Sequence, residues 1–307
     1  MDMPHEIPPQ IGDWLRRQLG EYRVLRCMRQ GSNRTCVWQL ESTNLRSYFK
    51  MNYRRVRFET ELFVYSRWIE ALKPFAPELI GVLFESNGLL ISDLEGEPLR
   101  ELSIDPKSVV ETYEVAGKIC RRLHDLDKGS WFGAMDAHGS PIKSDSVEIE
   151  GIQNPAARYE ALMLESLAAV RPQLLDEERR LVERTLVELT SLSFPFSVPT
   201  SLDFTPGNWI VNRDGKLLGV IDFENMVWGL RTDPSVRLSV DYFPAHPEFE
   251  AAFCNGYGGN PVKTYPAHFR IGCILYGLGY LGLGIKRGDS PTIDRGHRAF
   301  QVIAQLG

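Results

Sequence analysis

Asp203, Asn208 and Asp222 set an acid, an amide and an acid along one short stretch of this 307-residue chain. A carboxylate beside an attacking hydroxyl can orient it and take its proton. An amide oxygen and a second carboxylate can hold Mg²⁺ between nucleotide phosphates. The residues between Asn208 and Asp222 include Trp209-Ile210-Val211 and Leu217-Leu218-Gly219-Val220-Ile221, apolar strand formers that leave the polar trio standing out. This is a donor set for phosphoryl transfer.

The elements that carry the trio make a checkable demand. Residues 209–212 and 217–221 alternate and branch like strands, and Asp214-Gly215 between them is a strong turn signal. A two-residue Asp-Gly turn would pair 208 with 221 and send Asn208 and Asp222 to opposite faces. A three-residue loop, Arg213-Asp214-Gly215 with Gly215 at positive φ, would pair 208 with 220 and put both groups on one face, diagonal neighbours ~7–8 Å apart. Shared metal binding favours the longer loop or a bulge.

Upstream, residues 11–19 have the spacing of a short amphipathic helix. Residues 22–28, 36–40 and 45–51 read as strands, separated by Gly31-Ser32-Asn33-Arg34 and by 41–44. Small residues in the first connection would let backbone N–H groups approach phosphate oxygens; an ordinary hairpin turn accounts for the single glycine equally well. Lys50 alternates with aromatic residues on the third strand. Pointing into a cleft, it offers a compact charge to phosphates; on an edge it serves solubility. Leu62, Tyr65, Trp68, Ile69 and Leu72 then fall at helical spacing. A buried strand at 89–94 runs into Gly96-Glu97-Pro98, and beyond it the periodicity turns helical, at 110–123, 158–170, 177–192, 249–257 and 269–285.

Composition bounds the function. A hydrophobic content of 43% and a charged content of 24% describe an ordinary globular chain. The net charge of −5 argues against broad nucleic-acid binding. The five cysteines are scattered and show no Cys-x-x-Cys spacing, so they read as free thiols of a reducing, cytoplasmic compartment. No leader is visible in residues 1–10. The most apolar run, 271–285, has 15 residues and five glycines, short of the ~20 that span a bilayer, so no membrane association is expected. Nothing marks an obligate protein partner.

The ordered series resembles the aminoglycoside phosphotransferase family, small-molecule kinases that share the protein-kinase fold. Their signature reads His-Gly-Asp, four residues, Asn, then a hydrophobic strand ending in Ile-Asp. Asp203, Asn208 and Asp222 fall on its catalytic and metal positions, while Ser201 and Leu202 stand in place of the His and Gly. The resemblance implies an α+β, two-lobed protein-kinase-like fold. A small antiparallel β-sheet lobe with one helix would occupy 1–95 and end in a hinge; a larger, mainly helical lobe would occupy 96–307. It further implies Gly31, Ser32 and Asn33 as the phosphate-facing loop and Lys50 as the phosphate-binding lysine. Glu61 would be the partner of Lys50, with Glu59 its rival, and the backbone from Ser92 to Leu94 would receive the adenine. His124 is expected to pack and hydrogen-bond rather than act as a base, and Asp233 to bond backbone N–H groups of the catalytic loop. Arg237 stands where the family usually has a second aspartate.

By this resemblance the chain would move the γ-phosphate of ATP or GTP, with Mg²⁺, to a hydroxyl of a small molecule. An aminoglycoside-like antibiotic or amino sugar comes first, with Glu160, Glu165, Glu224 and Asp241 as carboxylates for its amines. Choline, homoserine and methylthioribose are other acceptors in the family. A catalytically impaired nucleotide-binding protein is the alternative, on the strength of Ser201-Leu202. A protein kinase is disfavoured because Phe223-Glu224 follow Asp222 in place of the Phe-Gly of an activation segment.

Overall fold

The computed structural model describes residues 6–29, 35–43, 45–142 and 154–305. Gly31, Ser32 and Asn33, the expected phosphate loop, lie outside the described residues. The chain forms two compact units. The first comprises Met1–Ser103, Met135–Ser140 and Pro206–Met226, and the second Ile104–Ala134, Pro141–Thr205 and Val227–Gly307.

In the first unit, α1 (Pro9–Leu19) precedes β1 (Tyr22–Arg29), β2 (Thr35–Ser42) and β3 (Arg46–Asn52), the strands expected from alternation. After α2 (Arg55–Arg67) and α3 (Ile69–Leu72), β4 (Leu79–Leu83) and β5 (Gly88–Ser92) complete an antiparallel sheet of order β1-β2-β3-β5-β4. One face is the core: Trp38, Leu40, Phe49 and Leu90 are fully buried together with Leu15 of α1. Because side chains alternate along a strand, Phe49 in that core sends Lys50 to the opposite face. A smaller sheet follows the order β6-β8-β9, from β6 (Glu97–Pro98), β8 (Trp209–Val211) and β9 (Leu217–Val220).

The second unit contains α4 (Val110–His124), α5 (Pro155–Val170) and α6 (Asp176–Glu188). After β7 (Val198–Ser201), which pairs with β10 (Met226–Gly229), come α7 (Asp233–Asp241), α8 (Pro247–Tyr257), α9 (Pro261–Thr264), α10 (Pro266–Arg287) and α11 (Ser290–Ala304). Its core gathers Met163, Val170, Phe269, Ile274, Leu278, Leu281 and Phe300. The helices α7, α9 and α11 were not anticipated. The apolar run at 271–285 proved to be part of a 22-residue helix, long and apolar enough by length and composition to cross a membrane. Ile271, Ile274, Leu278 and Leu281 of that helix are buried in the core. Its glycines explain how α11 fits: a Cβ at Gly277 would meet the Phe300 ring at 2.7 Å and the Gly296 carbonyl at 3.0 Å. Only two glycines let these backbones approach so closely.

Candidate active site

The first unit buries an unusual concentration of charge. Lys50 lies on β3 opposite Val37 and Leu89 and is 8% exposed. Its ammonium reaches the two carboxylate oxygens of Glu61 at 2.8 and 3.0 Å, Glu224 at 3.0 Å, and Asp222 in a direct ion pair. Glu61, on the inner face of α2, is 1% exposed. Glu59, the rival, points elsewhere and pairs with the exposed Arg55 at 2.7 Å one turn away. Glu61 is therefore the partner of Lys50.

Glu224 was not expected in this cluster; it figured only as an acid for the substrate's amines. It accepts from Asn52 Nδ2 at 2.9 Å, Thr35 Oγ1 at 3.3 Å and Arg57 Nη1 at 3.0 Å, as well as from Lys50. A signal for it was present. Asn52 lies two residues after Lys50 on one strand, so both share a face, and Glu224 follows Asp222 by two.

Electrostatics follow from the burial. Burial alone would push the Lys50 ammonium down, yet Asp222, Glu61 and Glu224 together hold it well above its ordinary value. Burial pushes the Glu61 carboxyl up to about 7 against the pull of Lys50. Burial also opposes ionisation of Glu224, but Lys50, Asn52 and Arg57 overcome it and hold that carboxyl below its usual range. Three carboxyl groups thus face two cations, Lys50 and Arg57, and with Glu61 raised to about 7 the excess negative charge is less than one.

Glu61, Asp222 and Glu224 place oxygens within 4.8 Å of one another. The Lys50 ammonium contacts all three, so this trio by itself is a lysine cradle rather than a metal cage. Asp222 adopts φ 65°, ψ 64°, the left-handed region that few residues other than glycine, asparagine and aspartate enter. That backbone turn, and not strand alternation, aims its carboxylate at Lys50.

The hairpin between Asn208 and Asp222 has the longer loop, with Gly215 at φ 82° and Asn212 N–H bonded to the Lys216 carbonyl. The register differs from the one that loop alone would give. A bulge at Leu218 shifts the pairing, Ile221 N–H donates to the Asn208 carbonyl at 3.0 Å, and 208 stands opposite 221. The expected 208–220 pairing is thereby corrected. The cause is a neighbouring segment: Val220 N–H donates to the Phe75 carbonyl at 2.9 Å, fixing β9 against residue 75. Asn208 is half-buried at the start of β8.

The 92–94 segment also gains a specific reading. Ser92 N–H is taken by the Glu78 carbonyl at 2.9 Å and Asp93 N–H by the Arg46 carbonyl at 3.1 Å. Leu94 carries the next N–H along the chain, beyond the last residue of β5.

Asp203 belongs to the second unit. Its N–H donates to Ser201 Oγ at 3.2 Å, its Oδ1 accepts from Thr205 Oγ1 at 3.3 Å, and the Arg237 guanidinium forms a direct ion pair with it. Arg237, sitting where an aspartate was expected, also approaches Asp241 at 3.7 Å. His124 is fully buried, with Nδ1 at 2.9 Å from the Tyr257 hydroxyl and Nε2 at 3.2 Å from Thr200 Oγ1, on the strand that leads into Asp203. Burial pushes its imidazole down to about 3, so it packs as a neutral ring. Asp233 departs from expectation: its carboxylate accepts from Leu230 N–H at 2.8 Å, closing the turn before α7 rather than bracing the catalytic loop.

A five-stranded antiparallel sheet bearing a buried lysine–glutamate pair, in a chain whose other unit is helical, defines the α+β, two-lobed protein-kinase-like fold. The chain belongs to the phosphotransferase enzyme family, whose model matches residues 29–268, and it is a small-molecule kinase with a nucleotide co-substrate. Among solved structures, a thermostable mutant of aminoglycoside phosphotransferase APH(4)-Ia in ternary complex with AMP-PNP and hygromycin B matches at 14% identity and TM-score 0.69. The match covers 97% of this chain and 98% of that one. The GDP complex of aminoglycoside 2'-phosphotransferase-IIIa matches at 13% identity and TM-score 0.67, over 97% and 99% of the two chains. The gentamicin complex of APH(2")-IIa matches at 16% identity and TM-score 0.60, over 96% and 97%. These likenesses are of fold. No curated protein matches the sequence.

Proposed function

We propose that the chain transfers the γ-phosphate of ATP or GTP to a hydroxyl of a small molecule, with residues 1–95 as the nucleotide lobe and 96–307 as the catalytic and substrate lobe. The observation that carries this reading is the buried ammonium of Lys50 held between Glu61 and Asp222. Lys50, steadied by Glu61, binds the α- and β-phosphates. On nucleotide binding its contact with Asp222 opens, the ammonium turning to phosphate oxygens and the carboxylate becoming available to a cation.

The donor chemistry fits Mg²⁺: Asp222 and Asn208 offer hard oxygen ligands, and the cluster's three carboxyl groups outnumber its two cations. Bound by these residues, Mg²⁺ would supply neutralisation of the charge on the transferring phosphate. Leu94 N–H, beyond the paired N–H groups of Ser92 and Asp93, is the donor offered to the nucleotide base. Asp203 accepts a hydrogen bond from the acceptor hydroxyl, orients it in line and takes its proton. Arg237 and Thr205 fix the rotamer of that carboxylate.

Hygromycin B and gentamicin occupy solved neighbours; for this chain the cavity next to Asp203 has its own chemistry. Five free cysteines support a reducing, cytoplasmic setting. The test is Asp203→Ala, which is expected to lose at least ~10²-fold in kcat while nucleotide still binds. Unchanged turnover in that variant overturns the assignment.

A further inference from the structure

The second unit contains a cavity of about 260 Å³, slightly below the ~300–1,000 Å³ usual for small-molecule sites. Leu202, the residue before Asp203, lines it, and so does Arg237, whose guanidinium pairs with Asp203. The remaining wall is apolar and aromatic in its main contributors, Leu275, Trp228 and Tyr276, with the Arg158 side chain as its second cation. The single acid among the lining residues is Asp233, which is committed to Leu230 N–H; burial pushes it up to about 7, so it offers less than a full negative charge.

A polycationic acceptor needs carboxylates for its ammonium groups, because an unpaired charge is costly to desolvate. None of the acids available on sequence grounds serves. Glu160 and Glu165 are exposed on α5 and do not line the cavity. Glu224 is engaged by Lys50 and Arg57 in the first unit. Asp241 accepts from the Tyr276 hydroxyl at 2.9 Å and pairs with Arg295 at 3.0 Å.

Resting on the reading of Asp203 as the group that receives the acceptor's proton, we propose that the acceptor is an alcohol with an apolar body and no positive charge, either neutral or bearing one carboxylate. Leu202, which replaces the small glycine of the family signature and is half exposed, presents an apolar surface beside the reacting hydroxyl. Arg158 is the partner for a carboxylate. Amino sugars with several ammonium groups are poor acceptors here.

The experiment measures ADP release with Mg²⁺ and ATP on the full chain and on Asp203→Ala. The acceptors are a neutral aryl alkanol, its carboxylate-bearing analogue, and kanamycin. The expected result is Asp203-dependent turnover of the alkanols, with kcat/KM at least about tenfold above that of kanamycin. Arg158→Glu should lower kcat/KM for the carboxylate-bearing analogue by about tenfold more than for the neutral one, a difference of the size one lost polar contact commonly gives. Nucleotide binding by Arg158→Glu shows that the variant is folded. Kanamycin turned over as well as the alkanols, with Asp203 required, overturns the acceptor class and leaves the kinase reading standing. Absence of Asp203-dependent transfer to all three acceptors overturns both. Equal losses on both alkanols in Arg158→Glu overturn the carboxylate role.

Discussion

The two units bury charge in opposite ways. Around Lys50, carboxylates outnumber cations and their bonds converge on one ammonium. Around Asp203 and Asp241, each acid has a guanidinium of its own, from Arg237 and Arg295, and the neighbouring cavity is left apolar. Uncompensated negative charge is useful where a divalent cation and phosphates must be balanced. It is harmful where a neutral body must be desolvated. The sheet unit is therefore built to receive charge, and the helical unit to pair off its own.

That contrast can be broken at several points. Glu224→Gln removes one carboxylate from Lys50 and Arg57 while keeping the shape. We expect weaker Mg²⁺-dependent nucleotide binding and a stability loss of roughly 1–3 kcal/mol for the buried donors left with a poorer acceptor, read by denaturant melts and calorimetry. A tighter Mg²⁺ complex would mean that the third carboxylate is superfluous.

Asp233 tests the other unit. Its folded value of about 7 lies above the ordinary 3.8, so the folded state holds the proton more tightly. Stability from this group is full below about pH 4 and is lost as pH rises through 7. Asp233→Asn keeps an oxygen for Leu230 N–H and removes the titration. Relative to the parent, it should gain on the order of 2 kcal/mol between pH 5 and pH 8, measured by melts at both pH values. A parallel profile would show that this carboxyl is not held in a desolvated site.

The smallest effect belongs to Glu59→Gln. The exposed Arg55–Glu59 pair is worth about 0.3–0.5 kcal/mol, and nucleotide affinity should not change. A loss of affinity there would reopen the choice between Glu59 and Glu61.

Local pattern revealed much of this. Strand patterning placed β1, β2, β3, β5, β8 and β9 along the chain, and the spacing of Asp203, Asn208 and Asp222 indicated the chemistry. The Lys50–Glu61 pair could be expected from resemblance, and helical geometry then separates Glu61 from Glu59. What local pattern could not show were features made by distant neighbours. The bulge at Leu218 arises because Val220 bonds Phe75, far away in sequence. Glu224 joins the Lys50 cluster through Asn52, Thr35 and Arg57, none of them near it in the chain. The α11 helix starts at Ser290-Pro291 and presents Gly296 where an apolar residue would mark the pattern; the need for that glycine appears only once Gly277 lies against it. The character of the acceptor cavity depends on which acids the arginines consume, and that is a property of packing alone.

Isothermal titration of ATP with and without Mg²⁺, on the parent chain, Asp222→Asn and Asp203→Asn, is the most direct test. Metal-dependent binding should vanish in Asp222→Asn, which loses its charge at the cation site, and should persist in Asp203→Asn, whose side chain acts on the acceptor. Retained Mg²⁺-dependent binding in Asp222→Asn, or its loss in Asp203→Asn with the fold intact, would contradict the assignment of phosphates and metal to the Lys50 cluster.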